Sequence, residues 1–205
     1  GPEGPIELTI KKKAGDIVTV QSRRPDWDTW TELTKGREEQ APNFRWKMLP
    51  GNIAYVELNS FSNPEASQGF ADNFEDISKA DGIIFDVRKN GGGSSSYGYD
   101  VLSRLTQKPF AVSSWRTMNY RPAFRAWGYQ TDNYESTGNM ELPDPDQYYA
   151  GSVAVLSGTS TFSAAEDFLV AFDVMDRGPI IGQASGGSTG QPLGFYLPGG
   201  GGARV

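Results

Sequence analysis

The chain has 205 residues, 37% hydrophobic and 21% charged, a balance that fits one sizeable globular domain with a small appendage and is too apolar for disorder. Its net charge is −6 and its 19 basic residues are scattered apart from Lys11, Lys12 and Lys13, so no nucleic-acid partner is expected, and no apolar run is long enough to span a membrane. It holds no cysteine and no histidine, which excludes a thiol nucleophile, a disulfide, cysteine- or histidine-held zinc, and a Ser-His-Asp triad completed within these residues.

In chain order, Ile6, Leu8 and Ile10 alternate with polar residues, and Ile17, Val18 and Val20 follow a Gly-Asp turn, which predicts a β-hairpin over 5–22. An isolated hairpin is marginal in water, so this one should belong to a larger sheet. Residues 25–50 are rich in Pro, Trp and charge without a clear period and read as a connector. From Gly51 the pattern becomes α/β. A strand over Ile53–Leu58 is followed by a helix opened by Asn63-Pro64, with Phe70, Phe74 and Ile77 at helical spacing. Residues 82–87 form a near-continuous apolar run, the pattern of a strand buried on both faces. A glycine-rich turn leads to a helix near 96–107, a strand from Phe110 to Trp115, and an aromatic, irregular insertion over 117–149. Then come a strand at 152–156, a helix from Phe162 to Met175, a strand at 179–182, a Gly/Ser loop at 184–190, a strand near 193–197 and four glycines. Strands alternating with helices imply parallel pairing through right-handed crossovers, with functional groups gathered where strands end and helices begin.

Two such junctions are chemically distinctive. The first is Asp86-Val-Arg-Lys-Asn-Gly91-Gly92-Gly93-Ser94. Glycines directly after a buried strand let backbone N–H groups face a ligand, as in an oxyanion hole or phosphate cradle, or simply make a tight turn. The cradle is the weaker of these, because no Lys-Ser/Thr pair closes the loop. The second is Gly158-Thr-Ser-Thr-Phe-Ser163-Ala164-Ala165-Glu166. Small residues leave Ser163 open, and the helix start offers free N–H donors and partial positive charge. The same Ser-x-x-Glu spacing is also a capping box, which starts helices without any catalysis.

Together these junctions resemble the tail-specific (C-terminal processing) and tricorn-like serine peptidases. That family carries Asp-Leu-Arg-x-Asn-x-Gly-Gly, here Asp86 to Gly93, and Ser-Ala-Ser/Ala-Glu, here Ser163 to Glu166. Further matches are the strand at Ile53-Ala-Tyr-Val, a Gly-containing stretch from Gly182 to Gly187 and a strand at Leu193 to Leu197. The resemblance implies an α/β fold, a ClpP/crotonase-like spiral of βαβ units. Residues 1–24 would be the last strands of a PDZ-like module, 25–50 a connector and 51–205 the peptidase core. It implies Ser163 as nucleophile, the backbone N–H groups of Ala164 and Gly92 as oxyanion hole, and Gly91, Gly93, Gly187 and Ser188 along the substrate cleft. Asp86 and Arg88 are expected to pair and brace the turn. The implied partner is a polypeptide substrate; no metal or organic cofactor is implied, and family habit favours the periplasm, cell envelope or exterior.

One departure matters. The tail-specific branch places a lysine base about 25 residues after the serine, and this chain has Ser188 there and no lysine beyond Lys108. The tricorn-like branch takes a histidine from before the PDZ-like module and a glutamate well after the nucleophile. The chain is therefore read as a piece of that branch whose base lies outside it, truncated at the C-terminus and inactive alone; Lys89 is an outside candidate for a base. The alternatives are a non-catalytic pseudoprotease, whose aromatics Trp115, Tyr120, Phe124, Trp127 and Tyr129 line a pocket for peptides or small apolar ligands, and a crotonase-like acyl-CoA enzyme.

Overall fold

The computed structural model describes residues 5–22, 26–34, 41–130, 132–198 and 201–204, and the chain divides into two compact units, Gly1–Ala41 and Pro42–Val205. In the first unit, β1 (Ile6–Lys11) and β2 (Ile17–Ser22) pair antiparallel with Leu8 opposite Val20. Their turn closes through Lys12 N–H donating to Asp16 O at 2.7 Å. A larger sheet was expected, but among the described residues this one stops at two strands, and Ile6, Leu8, Ile10 and Ile17 stay exposed. Helix α1 (Trp27–Thr34) follows, started by Asp26 Oδ1 accepting from Thr29 N–H at 2.7 Å.

The second unit is built on a five-stranded sheet. Its strands are β3 (Phe44–Leu49), β4 (Ile53–Leu58), β5 (Gly82–Asp86), β10 (Ser152–Ser157) and β11 (Ile180–Gly182), in the order β11-β10-β5-β4-β3. All pairs are parallel except β3 with β4. Strand β3 corrects the connector reading of 25–50. Phe44, Trp46 and Met48 do alternate with Arg45 and Lys47, and Arg45 meets Glu57 across the pair at 2.8 Å. The period is short and buried in a Pro- and Trp-rich context, so it does not stand out.

Between β4 and β5 the single expected helix is two, α2 (Glu65–Asp72) and α3 (Phe74–Ile77). Helix α4 (Ser95–Ser103) follows β5. The expected strand from Phe110 to Trp115 is split: β6 (Phe110–Ala111) ends early, and β7 (Trp115–Asn119) begins a separate hairpin. The 117–149 segment is less irregular than expected, holding α5 (Pro122–Ala126), β8 (Asp132–Ser136) and β9 (Met140–Glu141). β7 pairs with β8 and β6 with β9, both outside the main sheet. Helix α6 (Ala164–Val174) links β10 to β11, and β12 (Gly194–Tyr196) pairs with β13 (Gly202–Arg204).

The core lies where α2, α4 and α6 cover the sheet. Ala54, Val56 and Leu58 of β4, Ile83 and Phe85 of β5, and Val153 and Val155 of β10 point into it, as the period of two requires. Ile84 on the other face of β5 is half-buried, so the burial expected on both faces is deeper on one. An aromatic chain ties the layers together: Phe70 of α2 meets Phe85 edge-on at 5.3 Å, and Phe85 meets Phe168 of α6 at 6.2 Å. Such pairs contribute about 0.5–1.5 kcal/mol each beyond the area they bury. This packing sets the C-terminal ends of β5 and β10 side by side, with Leu156 opposite Asp86.

Candidate active site

Strand β10 turns sharply before α6, and three bonds hold the turn. Buried Thr161 donates its hydroxyl to Val87 O at 2.8 Å and accepts from Gly158 N–H at 3.1 Å. Phe162 N–H donates to Asn90 O at 3.0 Å. Ser163 follows at φ 55° and ψ −125°, a conformation that side-chain-bearing residues rarely adopt. Such a residue costs on the order of 1–3 kcal/mol and persists because its neighbours over-determine it. Ser163 N–H donates both to Ser188 O and to Glu166 Oε2, each at 2.9 Å. The result is a half-buried serine at the start of a helix, on a strand–turn–helix elbow of the kind that presents nucleophiles. The next residue, Ala164, has no acceptor for its N–H among the described residues.

The glycine turn after β5 meets this elbow. A β-carbon built on Gly92 would lie 2.7 Å from Ser163 Cβ, 2.8 Å from Phe162 O and 3.0 Å from Ala164 N. No side chain fits there, and φ at Gly92 is +98°. Sequence reasoning gave the oxyanion N–H on this turn to Gly92, but the structure gives that group another partner. Gly92 is buried and donates to Asn90 Oδ1 at 2.9 Å, a short-range side-chain turn of the type asparagine favours. One residue on, Gly93 is exposed and its N–H has no acceptor among the described residues. Its neighbours fix it, since Phe61 N–H donates to Gly92 O at 2.9 Å and Ser94 N–H to Phe61 O at 2.8 Å. Gly91 is also exposed on this turn.

Glu166 joins the elbow to the 184–190 loop. Its carboxylate, 5% exposed, accepts four hydrogen bonds. Ser185 Oγ and Gly187 N–H reach Oε1 at 2.7 Å each, and Ser188 N–H and Ser163 N–H reach Oε2 at 2.9 Å each. Burial alone would raise its pKa; the Ser185 hydroxyl and the three N–H groups outweigh that and hold it below the usual range. Gly187 and Ser188 therefore stand beside Ser163, with Ser188 in direct backbone contact. The capping box between Ser163 and Glu166 is present, and the same glutamate does a second task in docking the loop.

Asp86 and Arg88 brace the glycine turn, as expected. Arg88 Nη2 donates to Asp86 Oδ2 at 2.6 Å, Arg88 N–H to Oδ1 at 2.9 Å, and the Tyr55 hydroxyl to Oδ2. Burial opposes the charge on Asp86, but these donors keep its pKa lowered. Sequence reasoning missed Asn90 and Thr161 as positioning residues. Asn90 is fully buried, and its Nδ2 also donates to Leu58 O at 2.9 Å, so one side chain ties β4 to the glycine turn. The available signal was an asparagine inside an otherwise small and flexible turn. Among the described residues no group of three or more His, Cys, Asp or Glu could hold a metal ion.

Solved structures share this fold. The photosystem II D1 C-terminal processing protease matches at TM-score 0.54 and 21% identity, over 99% of this chain and 50% of that one. Mature CPAF matches at TM-score 0.59 and 18% identity, over 100% of this chain and 59% of that one. A candidate peptidase from Parabacteroides merdae matches at TM-score 0.60 and 24% identity, over 85% of this chain and 54% of that one. The chain thus spans 50% to 59% of the length of these proteins. No curated protein matches it. The profile of peptidase family S41 matches residues 52–205, well over half of the sequence and both junctions described above, and the chain belongs to that family.

Proposed function

We infer that this chain carries the core of a serine endopeptidase in which Ser163 is the nucleophile. The observation that carries the reading is the elbow itself: Ser163 held at a positive φ against the Gly92 backbone, with Ala164 N–H next in the chain and Gly93 N–H on the facing turn bonded to no acceptor among the described residues. A base takes the Ser163 Oγ proton as the oxygen attacks a peptide carbonyl carbon, and the two N–H groups receive the oxyanion. The C–N bond then breaks as the amine takes up the proton, and water hydrolyses the acyl-serine ester. Gly92 contributes closeness of approach, and Gly91, Gly187 and Ser188 line the cleft.

The base is proposed to come from outside these 205 residues. The chain has no histidine, and Glu166 is occupied by four donors and held below the ordinary carboxylate range, which disqualifies it as a proton acceptor. Lys89 stays as the one candidate within the chain. The hairpin of the first unit is proposed as the end of a PDZ-like module; an extracytoplasmic location is proposed separately, on family habit and the absence of cysteine.

The test is cleavage of unfolded casein by this chain and by a product extended at both ends, each with and without Ser163→Ala. Activity confined to the extended product and lost in Ser163→Ala supports the assignment. Activity in the short chain that Lys89→Ala removes would move the base to Lys89. Silence in both would favour a pseudoprotease that binds polypeptide without cutting it.

A further inference from the structure

The segment between β6 and β9 is unlike the rest of the second unit. Strands β7 and β8 form a sheet of their own, and α5, which caps it, buries no residue. A lone two-stranded hairpin is marginal in water, and this one spends large apolar side chains without burying them. Trp115 is 57% exposed, Tyr129 60% and Trp127 66%, with Met118, Tyr120, Phe124 and Tyr134 also exposed. At the tip, Phe124 lies 6.1 Å from Trp127 and 5.5 Å from Tyr129, and the Arg121 guanidinium sits 5.0 Å over the Phe124 ring. The rings contact one another, which lowers the ordering cost of contact with a ligand.

Two further observations say what the array meets. The first is where it is rooted. Ser113, two residues before β7, donates its hydroxyl to Asp167 Oδ1 at 2.7 Å, and its backbone carbonyl accepts from Asn139 Nδ2 at 3.0 Å. Asp167 in turn donates its N–H to Ser163 O at 3.2 Å. The base of the hairpin is therefore fastened one helical turn from the candidate nucleophile, on the same helix. Five residues of strand at about 3.3 Å each carry the tip some 16 Å from that root, a distance spanned by a few residues of extended polypeptide. The second is composition. Residues 120–129 hold Tyr120, Arg121, Phe124, Arg125, Trp127 and Tyr129 and no acidic residue, in a chain of net charge −6. Tyr, Trp and Arg are the residues that dominate protein–protein hot spots, and the absence of lysine sets the tip apart from polybasic lipid-binding segments.

We propose that the 115–136 hairpin is a substrate-capturing arm that binds an unfolded polypeptide through alternating apolar and acidic side chains next to the Ser163 site. The identity of the occupant rests on the peptidase reading; the binding surface does not. Apolar side chains of the substrate stack on Phe124, Trp127 and Tyr129, and its carboxylates pair with Arg121 and Arg125.

The experiment measures fluorescence anisotropy of a labelled twelve-residue peptide alternating Leu or Phe with Glu, titrated with the Ser163→Ala chain so that no cleavage intervenes. Control peptides replace Glu by Lys, or the apolar residues by Ser. The arm is disarmed by Phe124→Ser, Trp127→Ser and Tyr129→Ser together, with circular dichroism confirming the fold, and its charge is reversed by Arg121→Glu with Arg125→Glu. Binding of the acidic apolar peptide that falls at least about tenfold in the triple variant, and a preference that shifts to the Lys peptide on charge reversal, support the proposal. Equal binding by the triple variant, or no binding by the parent chain, overturns it. So does binding to phosphatidylglycerol vesicles, or self-association in sedimentation, that the triple variant abolishes while peptide binding is indifferent. Failure of the peptidase reading looks different: peptide binding through the arm persists while the extended product shows no Ser163-dependent cleavage.

Discussion

Replacing Glu166 by Gln changes one atom's chemistry at the point where four donors converge. A glutamine has one acceptor oxygen and one NH2, so two of the four donors must face another donor. With the NH2 at the Oε1 place, the Ser185 hydroxyl can turn to accept, but Gly187 N–H is left bare; at the Oε2 place, Ser163 N–H keeps Ser188 O and Ser188 N–H is left bare. Either way one backbone N–H of the exposed loop loses its partner and must turn to water, and the remaining bonds lose their charge assistance. The expected cost is about 1–2 kcal/mol, or about 2–8 °C in Tm for a chain of this size if it unfolds as one unit. Because the bonds are concentrated on one loop, amide hydrogen exchange is the sharper assay, with protection lost first at Gly187 and Ser188. The same carboxylate predicts acid sensitivity. Its pKa is lowered on folding, so its stabilisation is complete above the unfolded value and is lost as pH falls through the lower folded value. Glu166→Gln should flatten that part of the stability–pH curve. Unchanged exchange at residues 185–188 in the variant would refute the docking role.

Gly92→Ala must hold a β-carbon at φ +98° and 2.7 Å from Ser163 Cβ, so a loss of at least about 3 kcal/mol and displacement of the elbow are expected, read by denaturant unfolding. A fully stable variant would mean the two turns are not packed as described. Asn90→Leu keeps the number and branching of side-chain heavy atoms but strips partners from Leu58 O and Gly92 N–H; about 2–4 kcal/mol should be lost, and Gly92 amide exchange should accelerate. Ser188→Lys should leave the chain inactive, because a lysine base must be buried to lower its pKa and residue 188 is exposed; efficient Ser163-dependent hydrolysis by this variant would contradict that.

The layered α/β core was legible because its cues are local. The buried run at 82–87, the short apolar strand at 152–156 and the small-residue turn before a helix each announce themselves within a few residues. What stayed hidden depends on partners distant in sequence. Strand β3 carries its alternation in six residues, and only pairing with Ile53–Leu58 makes it part of the sheet. The fate of Gly92 N–H turns on where the Asn90 side chain points, and a run of three glycines gives no way to tell which N–H is left free. Glu166 was visible as a cap, but its contacts with Ser185, Gly187 and Ser188 bridge about twenty residues of loop that carry no periodic signal. The aromatic segment stands out in the sequence as a group but not as strands, since short strands outside the main sheet leave little pattern.

The most direct test of the central claim is to treat the product extended at both ends with a fluorophosphonate and map the adduct by peptide mass spectrometry. The account predicts a single modified residue, Ser163, with no adduct after Ser163→Ala and a labelling rate lower by several powers of ten in the 205-residue chain. An adduct on any other residue, or labelling that survives Ser163→Ala, would contradict it.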